Sequence, residues 1–259
     1  MSQLFLSTFD QVLLDSDEAI PLSTMVEIDR IRRSHVKFGV ISNRILKSVL
    51  DYNKDFPFLD YVIACDGAYV YDVVNRKVLY KKNVLASVVK KMWKMYSHLD
   101  IYFCTVKEWN LCRGEIVYSE VKKRNSSFLD FYQLNKESIY KVRICFTTKK
   151  ERNNAYLELE ELGVKAKFIK VDYRKQYMID VVSEDVYVEN GVEKICKREH
   201  VALEDVIYVG GREEDIPLLL SIGHSFCVSN GSRGAKKVAT GQTSSNETKG
   251  VEKVIKKLF

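Results

Sequence analysis

Apolar runs alternate with amphipathic helical patterns over the first part of the chain. Each run of four to six residues has the length of a strand, and each pattern between two runs has the apolar spacing of a helix. This alternation indicates a parallel sheet with crossover helices. The predicted strands are Gln3 to Thr8, Lys37 to Ile41 and Tyr61 to Ala64, and the predicted helices are Pro21 to Arg33 and Asn43 to Tyr52.

The middle of the chain loses this regular alternation. Five strand patterns and two helical patterns follow one another without a βα repeat, which is typical of an α+β domain. The predicted strands are Ile101 to Thr105, Ile116 to Ser119, Lys141 to Thr147, Lys167 to Val171 and Tyr177 to Val181, and the predicted helices are Leu85 to His98 and Glu151 to Leu162.

The βα alternation returns in the last third of the chain. The whole pattern predicts an α/β fold with a doubly wound, Rossmann-like parallel-sheet core, residues 1–81 and 184–259, and an inserted α+β domain, residues 82–183. The returning elements are helices at Gly191 to His200, Asp215 to Ile222 and Gly250 to Phe259, and strands at Val206 to Val209 and Ser225 to Val228.

The positive charge of the chain is concentrated in the predicted insert. The 259 residues carry a net charge of +6, and residues 82–183 hold 20 Lys/Arg against 12 Asp/Glu. A basic surface can bind phosphate, RNA or an acidic partner. A solvated, lysine-rich surface is the favoured interpretation, since no compact basic run with interleaved aromatic residues is present. We therefore do not expect a nucleic-acid partner.

Cysteine spacing and apolar run lengths restrict the cellular setting. The six cysteines are scattered and form no CxxC pair, which favours reduced, buried thiols in a cytoplasmic protein. No run approaches the roughly 20 apolar residues of a membrane span. The first residues have neither the basic start nor the small-residue cleavage site of a signal peptide. We expect no membrane partner, and the oligomeric state does not follow from the sequence.

Six stretches of the core, taken in order, match a known pattern. They are TFDQVLLDSD (8–17), VISNR (40–44), YVIACDGA (61–68), VIYVGGREED (206–215), VSNG (228–231) and TSSNETKGV (243–251). Together they resemble the Cof-like, large-cap branch of the haloacid dehalogenase superfamily of phosphatases. The resemblance implies Mg²⁺-dependent hydrolysis of small phosphate monoesters, and it implies that the insert is a cap domain.

The catalytic loop departs from the pattern of that branch. In the family the first Asp of this loop attacks phosphorus, and the second acts as general acid and base. The matching positions here are Thr8 and Asp10. A neutral threonine hydroxyl is a poor nucleophile at pH 7, and our expectation is that no base lies near it. A register shifted by two residues would make Asp10 the nucleophile, but it would place Val12 at the acid/base position.

The other motifs are partly retained. The resemblance assigns phosphate binding to Ser42 and Arg44, which are kept. On the metal side of the fourth motif Asp215 remains and Glu214 precedes it, but Gly211 replaces a carboxylate. The position of the family lysine falls on Val188, and Lys194 follows about one to two turns later in a helix.

Three hypotheses follow from these departures. The leading one is a divergent homologue with little or no phosphatase activity, in which Ser42, the backbone of residues 8–12 and basic cap residues bind a small phosphorylated or other anionic ligand. The second is an active phosphatase with a shifted site at Asp10, Asp215, Glu214 and Lys194. The third is a non-catalytic binding protein that uses its basic cap.

Structural roles are also open for three of these residues. Asp10 is equally well interpreted as a loop carboxylate that accepts backbone N–H groups. For Ser42 the favoured role is the N-cap of the following helix, and for Asp215 it is a first-turn carboxylate near a helix N-terminus. Gly210 and Gly211 are expected to allow close backbone packing at a turn.

Overall fold

The computed structural model describes residues 3–113, 121–123, 138–169 and 177–259. These residues form two compact units. The first falls within Met1–Arg44, Val49–Tyr80 and Tyr187–Phe259, and the second within Ile45–Ser48 and Lys81–Val186. None of the helices in the described ranges has the length and apolar character that crossing a membrane requires. The division into a core at residues 1–81 and 184–259 and an inserted domain at residues 82–183 stays a prediction.

Fourteen strands and eight α-helices lie in the described part of the chain. The strands are β1 Gln3–Thr8, β2 Val36–Ile41, β3 Tyr61–Ala64, β4 Tyr69–Asp72, β5 Lys77–Lys81, β6 Asp100–Cys104, β7 Trp109–Arg113, β8 Val121–Lys123, β9 Lys141–Phe146, β10 Val164–Ile169, β11 Tyr177–Ser183, β12 Val206–Gly210, β13 His224–Val228 and β14 Gly241–Thr243. The helices are α1 Leu22–Arg33, α2 Leu46–Asp51, α3 Ala86–Tyr96, α4 Lys149–Glu160, α5 Val188–Glu199, α6 Ile216–Ser221, α7 Arg233–Val238 and α8 Gly250–Leu258.

The sheet of the first unit has the strand order β14-β13-β12-β1-β2-β3-β4-β5. The six strands from β14 to β3 pair in parallel, and β4 runs antiparallel to β3. Leu4 and Leu6 of β1 share a core cluster with residues of α5, α6 and α7, while α1 packs on α8. Strands buried in this way are near-continuous apolar runs, as parallel sheets require. The predicted doubly wound α/β core is confirmed.

The second unit contains a six-stranded sheet of order β10-β11-β9-β6-β7-β8. Its pairings are antiparallel except for β7 with β8. Residues of α3 and α4 cover one face, where Val142 and Ile144 of β9 are fully buried. Strand β7 was not predicted from the sequence. The predicted strand Ile116 to Ser119 lies outside the described residues, as does the end of the strand predicted at Lys167 to Val171.

Two predicted helix starts are wrong. The helix predicted from Asn43 begins at Leu46, and the helix predicted from Gly191 begins at Val188. In the second case Val188 packs on the same core cluster as Val192 and extends the apolar stripe by one turn. Apolar spacing alone therefore located this helix but missed its first turn.

Candidate functional site at the ends of β1 and β12

The carboxyl ends of β1 and β12 lie side by side in the sheet of the first unit. Ser7 is paired in register with Val209, and both strands end one residue later. The chain runs outward through β2 and β3 on one side and through β13 and β14 on the other. In open α/β sheets, ligands bind outside the carboxyl ends of the strands where the strand order reverses. The fold therefore places a candidate site beyond Thr8 and Gly210.

Asp10, Ser42 and Arg44 form one hydrogen-bonded cluster in the loops that follow β1 and β2. Ser42 Oγ donates to Asp10 Oδ2 at 2.8 Å, and Arg44 Nε donates to Asp10 Oδ1 at 2.6 Å. Ser42 Oγ also accepts the backbone N–H of Arg44 at 3.1 Å. Three residues predicted for the site thus lie together, and both oxygens of Asp10 accept hydrogen bonds from side chains.

The guanidinium group of Arg44 is fixed by several further contacts. It lies 5.9 Å from the ring centre of Phe9 and 5.8 Å from that of Tyr52, and it pairs with Glu18 at 3.2 Å. Burial alone would lower the pKa of Arg44, but the charge of Asp10 and the hydrogen bond to it outweigh burial and raise that pKa. Arg44 therefore stays charged, and an incoming anion would have to compete with Asp10 for it.

Thr8, Tyr208 and Asp215 form a second cluster, which is buried. Thr8 Oγ1 donates to Asp215 Oδ2 at 3.1 Å and lies 2.7 Å from the Tyr208 hydroxyl. Because a threonine hydroxyl has one proton, and Asp215 accepts it, Tyr208 is the donor in its contact with Thr8. The expectation that no base lies near Thr8 is wrong, since the Asp215 carboxylate is within hydrogen-bonding distance.

The Asp215 carboxylate is already engaged by four donors. Oδ2 accepts from Thr8 and from the backbone N–H groups of Gly211 and Arg212, both at 2.9 Å, and Oδ1 lies 3.4 Å from the Arg212 guanidinium. Three of these donors are on Oδ2, and Oδ1 accepts one long hydrogen bond from the guanidinium. Two of the donors are backbone N–H groups of the turn that directly follows β12, and Asp215 is only 4% exposed. The carboxylate is therefore held by groups of the protein and is almost closed to solvent.

Burial and charge fix the protonation of the other two partners. Burial, together with the charge of Asp215, raises the pKa of Tyr208 well above its usual value. Burial alone would lower the pKa of Arg212, but Asp215 and Glu214 outweigh it and raise that pKa. Tyr208 therefore remains a neutral phenol that donates its proton to Thr8, and Arg212 remains a cation beside Asp215.

The two glycines at the end of β12 make room for this second cluster. A Cβ at Gly210 would lie 3.0 Å from the Tyr208 ring and hydroxyl, and a Cβ at Gly211 would lie 2.7 Å from Cγ2 of Val228. The predicted close packing at Gly210 and Gly211 is confirmed. A side chain at position 211, including the carboxylate that the resemblance implies there, meets Val228 first.

We expect Gly211→Ala to destabilise the first unit by about 1–3 kcal/mol, because the added methyl group overpacks the site against Val228. The backbone of Gly211 is not in the left-handed region, so the loss of stability comes from steric crowding and not from backbone strain. Urea unfolding of Gly211→Ala, Val228→Ala and the double variant measures this. The double variant should lose at least ~1 kcal/mol less than the sum of the single variants. Additive losses would contradict the crowding.

The remaining predicted site residues lie apart from the two clusters. Val188 is the first residue of α5 and is half-buried against the core, and a Cβ at Gly67 would lie 3.1 Å from its backbone nitrogen. Lys194 is exposed on the same helix. Glu214 is 40% exposed and lies 3.7 Å from the Arg212 guanidinium. The structure thus places an apolar side chain at the lysine position and pairs Glu214 with arginine.

The carboxylate oxygens of the two clusters do not fit the Mg²⁺ ion that the resemblance implies. Mg²⁺ requires oxygen ligands in octahedral geometry and usually takes one or two free carboxylates. The oxygens of Asp10 and Asp215 accept hydrogen bonds from side chains and backbone, and position 211 offers none. No group of three or more His, Cys, Asp or Glu side chains with metal-binding placement lies in the residues searched, which are the described ones.

Sequence reasoning missed Tyr208 and Arg212. Tyr208 reads as a core residue in an apolar strand, and Arg212 reads as a loop cation. The strand pairing is what brings Tyr208 to the site. Leu6 is in register with Tyr208, and Thr8 lies on the same face of β1 two residues later. With glycine at position 210, the ring of Tyr208 can reach forward along that face to Thr8.

Comparisons with known proteins agree with this fold. A family model described as haloacid dehalogenase-like hydrolase matches residues 5–255. Among solved structures, a protein from Thermotoga maritima is 18% identical with a TM-score of 0.86, covering 100% of this chain and 98% of its own. A haloacid dehalogenase-like hydrolase from Bacteroides thetaiotaomicron is 17% identical with a TM-score of 0.84 and covers 100% of both chains.

A third similar structure is a Bacteroides thetaiotaomicron protein analysed among phosphatases of the same superfamily. It is 16% identical, has a TM-score of 0.83, and covers 99% of this chain and 95% of its own. At these identities the solved structures establish the fold alone. A search of curated protein sequences found no match.

Proposed function

The chain belongs to the haloacid dehalogenase-like hydrolase family, and from this membership we propose that it is a divergent Cof-type homologue with little or no phosphatase activity. The observation that carries the proposal is the state of Thr8, at the position of the family nucleophile. Its side chain is fully buried, and its hydroxyl bonds both Tyr208 and Asp215. A hydrogen bond to a carboxylate can activate a hydroxyl, but an attacking oxygen must also reach phosphorus. Thr8 Oγ1 is fully buried and accepts the proton of Tyr208, so its approach to a substrate is blocked.

The first cluster supports the same proposal. As general acid or base, Asp10 would have to exchange a proton with a substrate oxygen. Its two oxygens instead accept hydrogen bonds from Ser42 and Arg44. In this proposal an anionic ligand reaches Ser42 and Arg44 by displacing Asp10. Lys194 is exposed on α5, and Glu214 is 40% exposed and faces Arg212, which weighs against a shifted catalytic site that uses them.

A proposed cytoplasmic location rests on the cysteines. Five of the six have side chains that the structure describes, and all five are buried free thiols, as in proteins kept in a reducing compartment. We retain a small anionic ligand as the proposed partner and do not propose nucleic acid.

We expect no site-dependent turnover of phosphate monoesters. The measurement is phosphate release from a panel of sugar phosphates, nucleotides and an aryl phosphate, with Mg²⁺ and separately with EDTA. The wild type and Asp10→Asn are purified in parallel, so that contaminating phosphatase gives the same rate in both. Turnover in the wild type that falls by 10²-fold or more in Asp10→Asn, the range for loss of a general acid–base group, would overturn the proposal.

A further inference from the structure

Arg212 is the cation of the buried second cluster. Its guanidinium lies 3.4 Å from Oδ1 of Asp215 and 3.7 Å from Oε1 of Glu214. Its own backbone N–H donates to Asp215 Oδ2 at 2.9 Å, so one residue engages both oxygens of that carboxylate. The positive charge is therefore built into the turn that follows β12.

Arg212 pairs with Asp215 although this position leaves one of its buried nitrogens without a hydrogen bond. Arg212 Nε is a buried nitrogen for which the described residues supply no hydrogen-bond partner. Leaving a buried donor unbonded opposes folding. The side chain nevertheless stays beside Asp215, which indicates that neutralising this buried carboxylate outweighs the lost hydrogen bond.

The charges around the cluster balance without a divalent ion. Position 8 carries a hydroxyl and position 211 carries no side chain, so Asp215 is the buried carboxylate of this cluster. Glu214, the other carboxylate that Arg212 faces, is 40% exposed, so its charge is balanced largely by solvent. One guanidinium is sufficient to neutralise one carboxylate, whereas a divalent ion would leave an excess positive charge in a site that already holds Arg212.

We propose that Arg212 is an internal replacement for the divalent cation of the family, so that the site at Thr8 and Asp215 is electrostatically complete and takes up no metal ion. This inference uses the residue positions given under the proposed function but concerns charge rather than turnover. Metal uptake without turnover would defeat this inference alone, and metal-free turnover would defeat the proposed function alone.

Mn²⁺ serves as the probe for metal uptake by the EDTA-treated full chain. The electron paramagnetic resonance signal of free Mn²⁺ is followed during titration of the wild type and of Asp215→Asn. We expect the same weak uptake in both proteins, with no site tighter than ~1 mM. One Mn²⁺ per chain bound at or below ~0.1 mM by the wild type, and lost in Asp215→Asn, would overturn the inference.

A guanidinium rescue experiment tests Arg212 directly. We expect Arg212→Met to lower the melting temperature by about 5 °C, on the scale of 2–4 °C per kcal/mol for a chain of this size. Methylguanidinium at ~20 mM, compared with equal NaCl, should recover part of this loss. Arg33→Met is the control, because Arg33 pairs with Asp29 at the surface of the same unit and its side chain is 80% exposed.

Each outcome of the rescue decides the matter. Recovery in Arg212→Met, with none in Arg33→Met or the wild type, supports the inference. An Arg212→Met protein as stable as the wild type, or equal responses in both variants, would overturn it. If Arg212→Met does not fold, Arg212→Lys keeps the charge and should retain most of the melting temperature, and the Mn²⁺ titration decides independently.

Discussion

Asp215→Ala is expected to destabilise the first unit by about 3–5 kcal/mol, because it breaks a buried ion pair by removing one partner. The carboxylate accepts hydrogen bonds from Thr8 and from two backbone N–H groups, and it neutralises Arg212. Alanine would leave all of these donors without an acceptor in a site that is almost fully buried. The loss combines an unpaired buried charge with unsatisfied hydrogen-bond donors.

Amide hydrogen exchange measures this effect where it arises. Peptides that cover β1 and β12 report on the first unit, whereas both tryptophans, Trp93 and Trp109, lie in the second. The matched control is Glu214→Ala, which removes a carboxylate next in sequence that also faces Arg212 but is 40% exposed. Exposed pairs contribute only ~0–1 kcal/mol. Equal protection of β1 and β12 in the two variants would show that Asp215 does not hold the cluster together.

The general architecture could be predicted from the sequence because it depends on patterns that are local. Strand β1 was predicted with its observed bounds, since Gln3 to Thr8 is an apolar run closed by a loop. The doubly wound sheet followed from the order of such runs and from the rule that crossover connections are right-handed and short. Strand β7 was missed because its residues, Trp109–Arg113, mix aromatic, polar and charged side chains without clear alternation.

Tertiary contacts explain why a helix boundary could not be predicted. The predicted helix included the segment from Asn43 to Ile45. In the structure, the Arg44 side chain donates to Asp10 in another loop, and the Arg44 backbone N–H donates to Ser42 Oγ. These bonds satisfy the backbone and side chain outside a helix, so the helix begins later, at Leu46. A signal that comes from residue 10 is not visible in the local pattern around residue 44.

The candidate site was predicted only in part, because some of its contacts also come from residues distant in the sequence. Departures at Thr8, Val188 and Gly211 were visible because the flanking residues fix the register. What replaces the missing groups was not visible. Tyr208 and Arg212 enter the site only through the pairing of β1 with β12 and through the space left by two glycines. Departures from the family pattern can therefore be found position by position, but the contacts of Tyr208 and Arg212 can be found only from the fold.

A buried charge cluster in the second unit was also invisible in the sequence. Asp180 of β11 lies across from Arg143 of β9, with Nε to Oδ1 at 2.6 Å, and Lys141 Nζ lies 3.4 Å from Oδ2. Lys141 and Asp180 are almost fully buried, and both cations lie over the ring of Trp109, at 5.2 and 5.0 Å. The sequence analysis favoured a solvated surface for the basic residues of the insert, whereas the strand pairing places Lys141 and Arg143 beside Asp180.

Asp180→Ala is expected to destabilise the second unit by about 3–5 kcal/mol, because buried Lys141 and partly buried Arg143 lose the carboxylate between them. The pH dependence follows from the same contacts. Burial alone would raise the pKa of Asp180, but the charges and hydrogen bonds of Arg143 and Lys141 outweigh it and lower that pKa well below its usual range. A depressed pKa contributes stability above the unfolded value, about 3.9, and that stability is lost as the pH falls below it.

Tryptophan fluorescence during urea unfolding reports this change, since Trp109 contacts both cations of the cluster. The control is Asp185→Ala, which removes a 69% exposed partner of Lys82 in the same unit and should have an effect of ~0–1 kcal/mol. Between pH 4 and pH 2 the stability of the wild type should fall more steeply than that of Asp180→Ala, by up to ~1.4 kcal/mol per pH unit for one proton. Parallel slopes would mean that Asp180 has the same proton affinity in the folded and unfolded chains. That result would contradict the lowering of its pKa by Arg143 and Lys141.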